Sequence, residues 1–240
     1  GTFITPYIDA VSFLELPAIA LAGVLAVRYG WTGILGCVLG SLSFHLLSMP
    51  WQLAASLAAG SGIAALLFNY VLRFFHPSVV TINQVSTVAV FAFIAAPIAS
   101  AAHTVISMLS MELLGFTSWD SMIRTMMTWW FSELLLAYLT VPLLLSIFSY
   151  RKIYFRTQEK FEMGTAFVAM VIVSWLTFKY GQMLASSEII IFVLLAFVLL
   201  AALRFKTIVT HAAIFIAALI AFITLIFNVE HIHSELYSHA

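Results

Sequence analysis

The sequence predicts an all-α fold, a polytopic transmembrane helical bundle of about eight spans. Three observations predict it. Hydrophobic residues make up 63% of the 240 residues and charged residues only 8%, with a mean hydropathy of +1.10. A soluble domain carries about 25% charged residues and about 45–50% apolar ones, so this chain lacks the polar surface to cover a globule in water. Apolar runs of roughly 20 residues, enough to cross a hydrocarbon core of about 30 Å, recur along the chain. The alternating-polarity segments of outer-membrane strands are absent, which argues against a β-barrel. The 21 Phe and 6 Trp exclude a disordered chain, and the single cysteine, Cys37, excludes a disulfide scaffold. Ten Lys/Arg balance ten Asp/Glu, so charge points to no nucleic-acid partner; the partner that composition implies is the lipid bilayer.

The apolar runs place spans at 10–28, 32–50, 52–74, 85–111, 121–148, 163–183, 188–204 and 208–227. Gly30, Gly33, Gly36, Gly40 and Pro50 punctuate the second, which reads as a full crossing or as a re-entrant hairpin. Gly33, Gly36 and Gly40, with Ala59, Gly60, Ser61 and Gly62 in the third span, predict close backbone approach. No internal repeat or long linker divides the chain.

Basic residues set the orientation. The loop RKIYFRTQEK holds Arg151, Lys152, Arg156 and Lys160, and short loops rich in Lys/Arg stay in the cytoplasm. Alternating outward from it puts Arg28, Arg73, Arg204 and Lys206 inside as well. Eight of the ten basic residues then share one side, leaving Arg124 and Lys179. Both chain ends face outward. The opening GTFITPYIDA has no basic n-region and no initiating Met, so the chain is expected to be a piece of a longer protein, lacking a flanking helix at each end.

Ionisable groups inside a membrane are costly, and each is a functional hypothesis. Glu133 is the clearest: it lies eleven residues past Met122, about 16 Å down a helix. Its surroundings read MTWWFSELLLAYLTVP, with Trp129 and Trp130 one turn before it and Pro142 nine residues after. Such a carboxyl must be paired, wet or protonated. It serves either as a helix–helix hydrogen bond or as a sensing or ligand contact. Partners at similar depth are His103, His45 and Asn69. Pro97, six residues before His103, frees a carbonyl one turn back, so His103 can donate to that group or to Glu133. Glu15, before Pro17, reads as interfacial or as the entrance to an outer cavity, and His211 as interfacial. The tail EHIHSELYSHA reads as a solvated loop or, through its histidines and carboxylates, as a divalent-metal site; its spacing matches no established one. No cofactor follows from the residues; a haem would need two histidines in facing positions. A phosphate-cradling loop, HExxH and GxSxG are absent, and no span carries a voltage sensor's Arg ladder. Nothing predicts catalysis.

Several segments together resemble a known family. LELPAIALAGVLAVRYGWTGILGCVLGSL, with Leu16 where the family has Trp, is followed by AALLFNYVLRFFHP. WWFSELLLAYLTVPLLL then places Glu133 after paired aromatics and Pro142 nine residues on. FVLLAFVLLAALRFKTIVTHAAIFIAALIAFIT closes the series with its turn at Arg204. In this order they resemble the first type of membrane-associated sensor (MASE) domain, over about residues 14–230. The resemblance implies that residues 1–240 are a single integral-membrane sensor domain in the bacterial inner membrane. It would take a small-molecule or membrane-protein stimulus, and pair as a homodimer through its parent chain. It would feed a cytoplasmic diguanylate cyclase or histidine kinase and have no catalytic residues of its own; no residue is assigned as a metal ligand. Candidate sensing residues are Glu133, His103, Asn69, Glu15, Trp129, Trp130 and Pro142. The rival is a small-solute transporter or permease component, which needs a continuous polar path where intramembrane charge is sparse. An enzyme acting on lipid would need a facing acid/base pair.

Overall fold

The computed structural model of the chain describes residues 20–77, 84–116, 119–149, 157–180 and 198–238. Among these residues all regular structure is helical. Contacts divide the chain into two compact units, Gly1–Leu145 and Ser146–Ala240. The first holds α1 (Ala20–Tyr29), α2 (Trp31–His45), α3 (Trp51–Phe75), α4 (Val85–Leu113) and all but the last turn of α5 (Trp119–Ser149). The second holds α6 (Thr157–Tyr180), α7 (198–204) and α8 (Thr207–Ser238).

Three helices are long and apolar enough to cross a membrane: α3, α4 and Met122–Phe148 of α5. They coincide with the predicted spans 52–74, 85–111 and 121–148. The second span differs from expectation. Its helix stops at His45, 15 residues from its start and about 22 Å long, and tight turns follow, with Ser48 N and Met49 N both bonding His45 O. The cause is Pro50, which opens α3 and pushes the residue before it out of the helical region. The eighth span also differs. α8 runs unbroken to Ser238, because Thr207–Ser238 contains neither Gly nor Pro, so the tail expected as a loop is helical as far as it is described.

Glycine shapes the α1–α2 corner. Gly30 turns the chain at φ 61°, a conformation L side chains avoid. A Cβ at Gly33 would strike the Leu25 carbonyl, so α2 folds directly back on α1. In α3, a Cβ on Gly62 would sit 2.6 Å from Val38 Cγ2. Gly36 and Gly40 have nothing within 4 Å of such an atom and face outward, contrary to the expected close approach. Arg73, near the end of α3, donates through Nη2 to Val27 O at 2.9 Å, one of the carbonyls left open at the end of α1. Arg28 and Arg73 therefore share one end of this unit.

α4 carries a defect with a traceable cause. Phe91–Ala95 forms a π turn, and Ala96 N bonds Phe91 O, five residues back. In that register Ala92 O would receive its bond from residue 97, which is proline and has no N–H. The orphaned carbonyl is taken by Tyr138 Oη of α5, 2.5 Å away.

Around this defect α3, α4 and α5 stack in layers. Phe91 meets Phe68 and Tyr138 edge-on at 6.0 and 5.8 Å. At the other end Leu53, Leu57, Met108, Met111 and Met122 form a core joined by Met49, Met126 and Trp129. From the methionine layer to the aromatic layer, numbering rises along α3 and α5 and falls along α4, so the three helices alternate in direction.

In the second unit, Met170, Ala201 and Ala213 make the core, with Phe205 and Ile216 against it. Arg204 donates to Glu162 Oε2 through Nη2 at 2.6 Å and Nε at 3.1 Å, placing the start of α6 beside the end of α7. His211 is half-buried and lies 2.8 Å from Ser146 Oγ through Nδ1.

Candidate functional site

Between the methionine and aromatic layers lies a polar one. The buried positions of α4 run Ala96, Ala99, Ser100, His103, Thr104, Ser107, Met108, Met111, a stripe at helical spacing. His103 therefore faces inward because its register does. On α5 the buried positions include Met122, Glu133, Ala137, Val141 and Leu145, which keep a helical spacing and aim Glu133 at α4. On α3, Gly60 and Ser61 complete the layer.

The two ionisable groups meet. His103 Nδ1 lies 2.8 Å from Glu133 Oε1, with side chains 4% and 2% exposed. Thr104 Oγ1 donates to Glu133 Oε2 at 3.3 Å, so both carboxyl oxygens have partners. His103 Nε2 lies 3.4 Å from the hydroxyls of Ser61 and Ser107. A buried pair stabilises a fold only when its remaining hydrogen-bond capacity is satisfied, and here each polar atom of the pair has a neighbour. As bonded, neither ring nitrogen of His103 is open to a metal ion or haem iron. α3 comes close because residue 60 is glycine: a Cβ there would lie 3.3 Å from His103 Cδ2 and from Ile106 Cγ2.

The other predicted residues fall elsewhere. Asn69 is not a member of the layer. It accepts from Arg73 Nε at 2.8 Å, because Arg73 is one turn along its own helix, and it lies eight residues, about 12 Å, past Ser61. Trp129 packs on the methionine core. Trp130 Nε1 donates to Pro97 O at 3.2 Å, while the carbonyl that Pro97 frees one turn back, Ala92 O, is taken by Tyr138 rather than by His103. Pro142 sits inside α5, nine residues or about 13 Å from Glu133, and no contact ties it to the pair. Glu15 lies outside the described residues. His45 does not touch Glu133; it reaches the layer through serines. Its Nδ1 lies 3.2 Å from Ser41 Oγ, which lies 3.3 Å from Ser61 Oγ. Among the described residues no three His, Cys, Asp or Glu side chains gather as metal ligands would.

Ser41, Thr104, Ser107 and Tyr138 are not singled out by the sequence, and Ser61 reads there only as a small packing residue. The signal for those of α4 was present, since residues 100, 103, 104 and 107 are polar positions on one helical face within an apolar run.

The family model MASE1 matches residues 8–236. No curated protein and no solved structure matches the chain. The match covers nearly the whole chain and runs through both compact units: the chain belongs to the MASE1 family. It is a membrane protein and a sensory input domain.

Proposed function

We propose that this input domain belongs to a bacterial signal-transduction protein of the inner membrane. It crosses the membrane several times and drives a cytoplasmic diguanylate cyclase or histidine kinase that follows in the parent chain. Its stimulus, a small molecule or a membrane protein, acts on the packing of α3, α4 and α5, and homodimerisation occurs through the parent's signalling helices. The chain itself performs no catalysis. Residues 1–240 act as a single domain, as the family match through both units supports.

The observation that carries the reading is the contact between His103 and Glu133 at 2.8 Å, which joins two helices, with Ser61 of a third against it. A hydrogen bond tolerates little displacement, whereas packed side chains slide. A shift of α4 against α5 therefore separates two discrete states, bonded and broken. A stimulus that favours either one changes the output by its difference in affinity for the two.

The test is output from the full-length parent in growing cells at matched membrane level, read as cyclic di-GMP or as kinase phosphorylation. Glu133→Gln, which keeps size and removes the charge, is expected to move basal output at least threefold. Output that matches the wild type for both Glu133→Gln and His103→Gln overturns the proposal.

A further inference from the structure

The Glu133–His103 pair ends a longer polar track, and its hydrogen bonds run in one direction. His45 closes α2, is 3% exposed, and has Nδ1 2.6 Å from Ser41 O. A carbonyl only accepts, so that nitrogen carries the hydrogen. It also lies 3.2 Å from Ser41 Oγ, which accepts as well and turns its own hydrogen to Ser61 Oγ, 3.3 Å on. Ser61 Oγ has two acceptors in reach, Leu57 O at 3.1 Å and His103 Nε2 at 3.4 Å, and one hydrogen to give. Beyond it, His103 Nδ1 faces Glu133 Oε1. Two imidazoles and a carboxyl are thus joined through hydroxyls across α2, α3, α4 and α5.

We propose that the ligand of this site is the proton: the track takes up one proton, held by His103 against Glu133 and coupled to the protonation of His45. This rests on the reading of the pair as the element that switches packing, and names what it binds. Nothing larger reaches the pair in place, because its side chains are 4% and 2% exposed and both oxygens and both nitrogens are engaged. The groups meeting His103 are Glu133 from α5, Gly60 and Ser61 from α3, and Ser107 of its own helix; His45 faces it from α2 through the two serines.

The step balances simply. A hydronium gives its proton to the Nε2 lone pair of neutral His103, forming one N–H bond and leaving water, and the site's charge rises by one. Nε2 then donates where it had accepted. Ser61 Oγ, now an acceptor from the ring, turns its hydrogen to Leu57 O. One proton therefore fixes the hydrogen bond between α3 and α4 with the ring as its donor.

The test uses the whole chain in lipid nanodiscs with its histidines labelled at the ring nitrogens, followed by magnetic resonance from pH 5 to 9. His103 is expected to take up a proton in this window. His45→Gln is expected to shift the midpoint, because it removes the far ring of a track whose hydrogen-bond steps of 3.2, 3.3 and 3.4 Å reach His103. Ser41→Ala, which keeps both rings, is the second variant should His45→Gln not fold. A His103 that keeps one protonation state throughout, or a midpoint that neither variant moves, overturns the proposal. Should Glu133→Gln alter output while His103 does not titrate, the switching reading stands and the proton assignment falls. Should His103 titrate with His45 while Glu133→Gln leaves output unchanged, the reverse holds.

Discussion

Replacing Glu133 with Met isolates what the carboxyl contributes to the bundle, because Met is unbranched, of similar length and apolar. The variant leaves two donors facing a thioether: the Nδ1–H of His103 and the hydroxyl of Thr104. The hydroxyl turns back to the Ser100 carbonyl one turn earlier and loses only an interhelical bond, about 0.6 kcal/mol in a bilayer. Moving the imidazole hydrogen to Nε2, toward Ser61 and Ser107, only exchanges the orphaned donor for an unpaired Nδ1 acceptor, and an orphaned buried donor or acceptor costs about 1–3 kcal/mol. The single variant is therefore expected to destabilise the fold by about 2–4 kcal/mol. Adding His103→Phe removes the stranded donor, and replacing both members of a buried pair by apolar groups is often close to neutral. The double variant is expected to recover about 2 kcal/mol, roughly a 30-fold change in the folding equilibrium. Reversible unfolding of the whole chain in bicelles measures all four corners of the cycle: the wild type, Glu133→Met, His103→Phe and the double variant. A coupling within about 0.5 kcal/mol of zero, the level at which independent sites add, refutes the claim that the pair holds α4 to α5.

Tyr138→Phe strands the Ala92 carbonyl beside lipid and is expected to cost about 1–2 kcal/mol; Pro97→Ala, which restores the missing donor, should recover most of it in the same unfolding assay. Gly62→Ala is expected to destabilise the α2–α3 contact, with Val38→Ala relieving the clash, while Gly36→Ala gains about 0.5–1 kcal/mol of helix preference; thermal melts that rank Gly36→Ala below Gly62→Ala contradict the packing described here.

Cost made the centre of the site legible. A carboxyl midway through an apolar run stands out because water is absent there, and His103 was one of three candidate partners at similar depth. The hydroxyls around them stayed hidden, because hydropathy treats Ser and Thr as nearly neutral although in lipid each carries a donor in search of an acceptor. Asn69 was misplaced for a local reason: Arg73 four residues on reaches it first, and a neighbour on the same face wins over a partner on another helix. The long spans were read correctly because α3, α4 and α5 are continuous apolar runs. The end of α2 was not, since SFHLLSMP is apolar enough to extend a span while the turn before Pro50 is a matter of backbone geometry. Pro97 announced a defect in α4, but its repair depends on a tyrosine 46 positions downstream, which no local pattern reveals.

The order of the layers also bears on how a displacement travels. Methionine is flexible and polarizable and tolerates repacking, so the layer of Met108, Met111 and Met122 yields when its helices shift. At the other end of α4 the π turn breaks the regular ladder, and its free carbonyl is held by a single side chain from α5. The segment between them, from His103 to Ser107, is straight helix tied to α3 and α5 through side chains. A helix with two yielding regions and a bonded middle moves its middle as a unit, and the weakest geometric tolerance there belongs to the 2.8 Å contact. On the proposed reading, displacement of either end concentrates at His103 and Glu133, which gives two buried ionisable groups a reason to occupy that depth rather than another.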